Sequence, residues 1–224
     1  MTYTLAFDVY GTLIDTHGVV EALQAHVGPD AVRFSQCWRD KQLEYSFRRG
    51  LMGCYADFSI CTRQALDYTC DALDKPLPEP VRESLMAVYR VLPAFDDVAA
   101  GLQQVRAAGH RVYAFSNGSA AAVNGLLRHA GLDDLVDGAV SVEAVASFKP
   151  DPAVYAHFLA ATGSDADSVW LISSNPFDVL GAQAVGWKTA WVQRNPATVF
   201  DPWGVTPSCT VTGLDKLASC LEQV

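Results

Sequence analysis

The chain has 224 residues, half of them hydrophobic, and a formal net charge of −9 at neutral pH. That length holds one large domain or two modest ones with a substantial core. The acidic balance excludes a nucleic-acid or anionic-membrane surface as the main partner, although a local arginine and lysine can still dominate a cleft that takes a small anion. The first residues carry neither a basic region nor a long apolar one, and no stretch approaches the ~18 apolar residues of a membrane span. These features predict a cytoplasmic chain. The six cysteines (Cys37, Cys54, Cys61, Cys70, Cys209 and Cys220) form no C-x-x-C pair and no zinc spacing with histidine. They are expected to be buried, reduced thiols.

In chain order, a short apolar run over 3–7 predicts a buried strand. It ends at Asp8, and Gly11 three residues on predicts a sharp turn. From 16 to 90 no strand is evident. Phe34, Trp38 and Tyr45 fit one helical face, and Arg39, Leu43, Phe47 and Leu51 fit the adjacent row. Phe58, Cys61, Ala65, Tyr68 and Ala72 mark the next helix, with Asp57 as its N-cap. Three prolines over 73–80 break it, and Val81, Leu85, Val88 and Tyr89 mark another. The region reads as an inserted cap of about four helices.

Beyond residue 91 strand and helix patterns alternate. Strands are predicted at 111–115, 139–142, 168–172 and 189–192, with an edge strand at 210–212. The helices between them carry Val98, Leu102 and Val105; Val123, Leu126 and Leu127; residues 151–161 led by Pro152; residues 177–185; and Leu214, Leu217 and Leu221. Residues 195–208 read as a long loop. Such alternation predicts an α/β fold, a parallel sheet with helices on both faces. The expected division is a core of residues 1–15 and 91–224 and a helical cap of residues 16–90.

Chemistry-bearing residues gather where the apolar runs stop. Asp8 closes the first, and Ser116-Asn117-Gly118 follows 112–115. Lys149-Pro150 follows an apolar stretch over 140–148. Ser173-Ser174-Asn175 follows 169–172, with Asp178 three residues further on. The carboxyl ends of parallel strands are where open α/β sheets keep their ligands. Each residue alone also has a purely structural use, as a cap or a strand-end turn.

These four motifs, in this order, resemble the haloacid dehalogenase superfamily, whose members have a Rossmann-like core with a cap. Most of that superfamily transfers phosphoryl groups, using a second aspartate two residues after the first and acidic metal ligands in the last motif. Here those places hold Tyr10 and Asn175, a poor set for magnesium, which favours carboxylate oxygens. The sequence is instead similar to the L-2-haloacid dehalogenase branch, through Phe7-Asp8-Val9-Tyr10-Gly11-Thr12-Leu13 and Trp38-Arg39-Asp40-Lys41-Gln42-Leu43-Glu44-Tyr45. The strand-end motifs and Lys149-Pro150 agree with it.

The resemblance implies a hydrolase that converts short L-2-haloacids to D-2-hydroxy acids and halide without a metal or other cofactor. Asp8 would attack C2 and form an ester. Thr12 would hold the Asp8 carboxylate. Arg39 would receive the halide with Asn117 and the ring edge of Phe177, since a guanidinium is weakly hydrated and always charged. Ser116 and nearby backbone N–H groups would hold the substrate carboxylate. Lys149 would steady Asp8, supported by Tyr155, while Ser173, Asn175 and Asp178 orient the lysine and a water. Tyr10, Leu43 and Phe58 would wall the pocket. Asp40 is a departure from the branch, and an acid there would offset Arg39 if it faced the site. None of the five histidines falls in a motif, which argues against a histidine-activated water. The resemblance also implies a homodimer. The rival readings are a magnesium-dependent phosphatase and a catalytically silent binding protein. Tyr10 stands against the first, and Asp8, Lys149 and Asp178 together stand against the second.

Overall fold

The computed structural model describes residues 2–223. Six strands form one parallel sheet: β1 (Thr4–Asp8), β2 (Arg111–Ser116), β3 (Gly138–Ser141), β4 (Val169–Ser173), β5 (Lys188–Val192) and β6 (Cys209–Val211). Their spatial order is β3-β2-β1-β4-β5-β6. The chain winds outward from β1 to one edge and then, from β4, to the other. Such a reversal opens a crevice at the carboxyl ends of the central strands. Register brings those ends level, with Asp8 opposite Phe115, Ser116 opposite Ser141 and Ser173 opposite Trp191.

Both faces of the sheet are covered. Leu5 and Phe7 pack with apolar residues of α5 (Val98–Ala107), α6 (Ala120–His129) and α9 (Leu217–Leu221). Ala6 points the other way, into a cluster with α7 (Pro152–Thr162) and α8 (Pro176–Ala184). The continuous apolar runs of the central strands follow from burial on both sides.

Between β1 and α5 lie four helices: α1 (His17–Val27), α2 (Ala31–Met52), α3 (Phe58–Ala72) and α4 (Glu79–Val88). Val19, Leu23, Phe34, Trp38, Ala65, Leu66 and Leu85 give them a buried interior. Asp57 caps α3 through Ser59 N at 2.8 Å, as its position predicted. The segments leaving and re-entering the sheet lie side by side, with Asp15 N donating to Pro93 O (2.8 Å) and Phe95 N to Leu13 O (3.1 Å).

Several expectations need correction. Strand β3 stops at Ser141, and residues 142–145 form a short 3-10 turn rather than a continued apolar strand toward Lys149. The Ser141 hydroxyl accepts from Glu143 N and bends the chain there. On α2, Leu51 is 90% exposed, because the last turn projects into solvent. On α3, Tyr68 and Ala72 are also exposed, and the buried stripe runs instead through Thr69 and Cys70. The Tyr68 ring lies 4.1 Å from the Lys41 ammonium. The cysteines are not all buried thiols. Cys54 is exposed and Cys37 half-buried, while Cys209 and Cys220 are joined as a disulfide between β6 and α9. Local spacing cannot show that a sheet edge and a terminal helix meet.

Candidate active site

Four segments at the carboxyl end of the sheet, following β1, β2, β3 and β4, build the site. After Asp8 the chain folds back, and Gly11, at φ +83°, donates from its N to Ile14 O (2.8 Å). A left-handed backbone there favours glycine. Ser174 locks this turn to the end of β4, donating from its hydroxyl to Gly11 O (2.8 Å) and from its N to Thr12 Oγ1 (2.9 Å). Arg194 adds a bond from Nη2 to Thr12 O (2.7 Å).

The carboxylate of Asp8 is held unevenly. Its Oδ2 accepts from Thr12 Oγ1 and from Asn175 Nδ2, both at 2.8 Å. Its Oδ1 has the longer contact with Lys149 Nζ, at 3.4 Å. One oxygen is pinned and the other is left available to a reactant.

Lys149 is almost wholly buried. Its ammonium donates to Asp178 Oδ2 (2.8 Å), Phe115 O (2.9 Å) and Asp8 Oδ1 (3.4 Å), which occupies all three hydrogens. Asp178 is fully buried, and its Oδ1 accepts from Tyr155 OH at 2.8 Å. Burial, and to a lesser degree the nearby Asp8 charge, push the Asp178 carboxyl above the usual aspartate range, against the pull of Lys149. Burial pushes the Tyr155 phenol up as well, and the Asp178 charge adds to it. Both Asp178 oxygens are therefore engaged by Lys149 and Tyr155. Among the described residues no three His, Cys, Asp or Glu side chains converge as a metal cage.

Above this lies a chamber of about 20 Å³ lined by Asp8, Tyr10, Arg39, Leu43, Phe58 and Lys149, with Ser116, Asn117, Asn175 and Phe177 completing the wall. Asn117 Oδ1 accepts from Lys149 N (2.9 Å), which turns its amide hydrogens elsewhere. Ser116 Oγ accepts from Gly118 N (3.1 Å), so its own proton remains to be given. Helix α2 brings Arg39 over the sheet, where Nη2 donates to Asn175 Oδ1 at 3.4 Å. Burial raises the Tyr10 phenol to about 12, against the nearby Arg39 charge and with a smaller push from Asp57. It stays neutral through the physiological range.

Residues 3–186 match the family model described as haloacid dehalogenase-like hydrolase. The chain belongs to the haloacid dehalogenase-like hydrolases. It is 36% identical to the (S)-2-haloacid dehalogenase of Pseudomonas sp. (strain YL), covering 97% of this chain and 94% of that one. It is also 36% identical to the haloacetate dehalogenase of Moraxella sp. (strain B), covering 95% of each. Among solved structures, the L-2-haloacid dehalogenase of Xanthobacter autotrophicus with chloropropionic acid covalently bound superposes with a TM-score of 0.89, at 32% identity over 99% of both chains.

In this haloacid dehalogenase-like hydrolase, every residue expected to bind substrate lines the one small chamber. Thr12, Tyr155, Ser173 and Asp178 stand behind that wall. Ser173 Oγ accepts from Asn175 N (3.1 Å), so its contact is to the turn and not to the lysine. Asn175 likewise serves Asp8 rather than Lys149. Asp40 is exposed and accepts from Gln36 Nε2 (2.7 Å), so it does not face the site.

Sequence reasoning missed other contributors. Gly181 lets Tyr155 reach Asp178, since a Cβ there would lie 2.3 Å from the Tyr155 hydroxyl. Phe47 packs edge-on against Phe177, with ring centroids 5.0 Å apart. Gln42, 1% exposed, accepts from Arg39 Nη1 at 2.8 Å. Gln42 had a signal inside the octapeptide that begins at Trp38, and Phe47 one in the helical row of Arg39 and Leu43, whereas Gly181 had none.

Proposed function

We propose that the chain hydrolyses short-chain L-2-haloacids to D-2-hydroxy acids and halide through an ester on Asp8. The observation that carries this reading is the asymmetric Asp8 carboxylate, with Oδ2 held by Thr12 and Asn175 and Oδ1 left toward a small chamber. The relatives' names point to the same substrate class. Oδ1 attacks C2 from the face opposite the carbon–halogen bond. That bond breaks as the new C–O bond forms, and the configuration at C2 inverts. Few waters fit the chamber, so the carboxylate meets the carbon with little hydration and a fixed line of attack. Arg39, Asn117 and the Phe177 edge receive the halide. The Ser116 hydroxyl and adjacent backbone N–H groups hold the substrate carboxylate, while Tyr10, Leu43 and Phe58 enclose its carbon chain.

Water then attacks the ester carbonyl carbon. Negative charge develops on Oδ2, where Thr12 and Asn175 already donate. The acyl C–O bond breaks and the product keeps the former Asp8 oxygen. One water is consumed, and halide, a proton and the hydroxy acid are released. Lys149 sets its positive charge beside Asp8 Oδ1, with Asp178 and Tyr155 fixing the ammonium. Residues 16–90 act as the cap that delivers Arg39, Leu43 and Phe58. The same reading includes a homodimer. No helix among the described residues is long and apolar enough to cross a membrane, which accords with a cytoplasmic location.

One turnover in ¹⁸O water with enzyme in excess tests this. The label is expected in the peptide containing Asp8 and absent from the new hydroxyl, and L-2-chloropropionate should yield D-lactate. Label in the hydroxyl would mean that water attacks C2 directly. A second expectation concerns metals. Asp178 has both oxygens engaged and Tyr10 supplies no carboxylate, so excess chelator should leave halide release unchanged. A loss restored by magnesium would favour the phosphatase reading instead.

A further inference from the structure

The guanidinium of Arg39 does not hang free in the chamber. Its Nη1 donates to Gln42 Oε1 at 2.8 Å, and its Nη2 to Asn175 Oδ1 at 3.4 Å. Gln42 lies one turn along α2, on the same face, as an i,i+3 neighbour must. Its Nε2 in turn donates to Thr62 Oγ1 on α3, at 2.5 Å. That hydroxyl has one proton, which goes to Phe58 O at 2.9 Å. Thr62 can therefore only accept from Gln42. This fixes which end of the amide is which: the NH₂ faces Thr62 and the oxygen faces Arg39. Thr62 is held at its backbone too, where its carbonyl accepts from Trp38 Nε1 at 2.8 Å.

Gln42 is 1% exposed. A residue serving only to fill that space would carry no polar cost as methionine or leucine, whereas a buried amide must have partners for both ends. Here the partners form a chain from Phe58 O through Thr62, Gln42, Arg39 and Asn175 to Asp8 Oδ2. A guanidinium has five N–H donors in a planar fork. With one on each terminal nitrogen occupied, the Nε–H and the other hydrogen of each terminal nitrogen remain for an anion.

We propose that Gln42, held by Thr62, is the positioning residue that aims Arg39 at the departing halide. This rests on the dehalogenase reading. Gln42 acts through Arg39 and touches neither the carbon nor the halide. Its effect should grow with the help a leaving group needs, so chloride depends on it more than bromide.

The test is single-turnover halide release from L-2-chloropropionate and L-2-bromopropionate. For Gln42→Met the chloride rate should fall by roughly 10- to 100-fold, the scale of one charge-assisted hydrogen bond and the disorder its loss introduces. The bromide rate should fall less, so the bromide-to-chloride ratio rises, while KM changes little. Thr62→Val keeps its volume and should move the ratio the same way by a smaller amount, and it carries the expectation if Gln42→Met does not fold. Gln42→Glu keeps the acceptor but adds a charge that competes for the guanidinium, so product halide should inhibit it less than the parent. If both rates fall together at an unchanged ratio, alongside a lower Tm, Gln42 is a packing residue and the proposal fails. Unchanged rates in Gln42→Met overturn it as well. If the unaltered enzyme releases no halide from either acid, the dehalogenase reading itself has failed and takes this inference with it.

Discussion

Lys149→Met should abolish measurable halide release and destabilise the protein in a pH-dependent way. The Lys149 side chain is 2% exposed and lies between two carboxylates, 2.8 Å from Asp178 and 3.4 Å from Asp8. Methionine fills much of the same volume but removes the charge. Breaking a buried pair by removing one partner costs about 3–5 kcal/mol at neutral pH, because the other charge is left uncompensated. Asp178 can escape that cost by taking up a proton. Asp178 already sits above the usual aspartate range through burial, and without Lys149 it rises further. An acid whose folded pKa is raised stabilises the fold most fully below its unfolded pKa and loses that contribution as pH rises through the folded one. The Tm deficit of the variant should therefore be smaller near pH 5 than near pH 8. Catalysis should fall by about 10³-fold or more, since the cation beside Asp8 and the aim it gives the carboxylate are both lost. Thermal melts at the two pH values, with halide assays alongside, check both parts. An equal deficit at both pH values would mean that Asp178 and Asp8 are not the charges left exposed.

The fold was legible because its signals are local. Apolar runs ending at Asp8, Phe115 and Ile172 marked the central strands, and the turn residues after them marked the site. Their convergence follows from β1 lying between β2 and β4, a strand order that the alternation of strands and helices does not itself fix. What escaped depends on contacts between distant elements. Nothing near Gly181 announces that the Tyr155 hydroxyl needs the space of a missing Cβ. The Cys209–Cys220 disulfide joins an edge strand to the last helix, and spacing carries no trace of it. The stretch over 140–148 has strand-like composition, yet Ser141 ends β3 by capping the next turn. Asp40 illustrates the same limit. Its neighbour Arg39 points into the chamber, but only the fold shows that Asp40 points out, to Gln36.

Arg39→Lys should cost far more than a conservative change on a helix surface. At a solvated site the substitution falls within about 0.5 kcal/mol of neutral. Here the guanidinium makes two divergent hydrogen bonds, to Gln42 and to Asn175, and still has N–H groups for an anion. An ammonium on a shorter stem cannot hold both acceptors and face the halide at once, and it is more strongly hydrated, so drying it inside a small chamber costs more. Gln42 and Thr62 would then present an acceptor with no planar donor to meet it, and Asn175 would lose the contact that sets its amide toward Asp8. The loss of a preorganised donor at developing charge is commonly worth about 10²–10³ in rate. The expected result is a fall of that order in chloride release, with KM changed less than about tenfold, because other groups hold the substrate carboxylate. Bromide release should suffer less, and the Tm should stay close to the parent, since Arg39 is only half-buried and its helix is anchored by Phe34 and Trp38. Stopped-flow halide release with both acids, beside a thermal melt, separates these effects. Near-parental chloride turnover would show that Arg39 does not receive the halide, and the leaving-group role would pass to Asn117 and Phe177 alone.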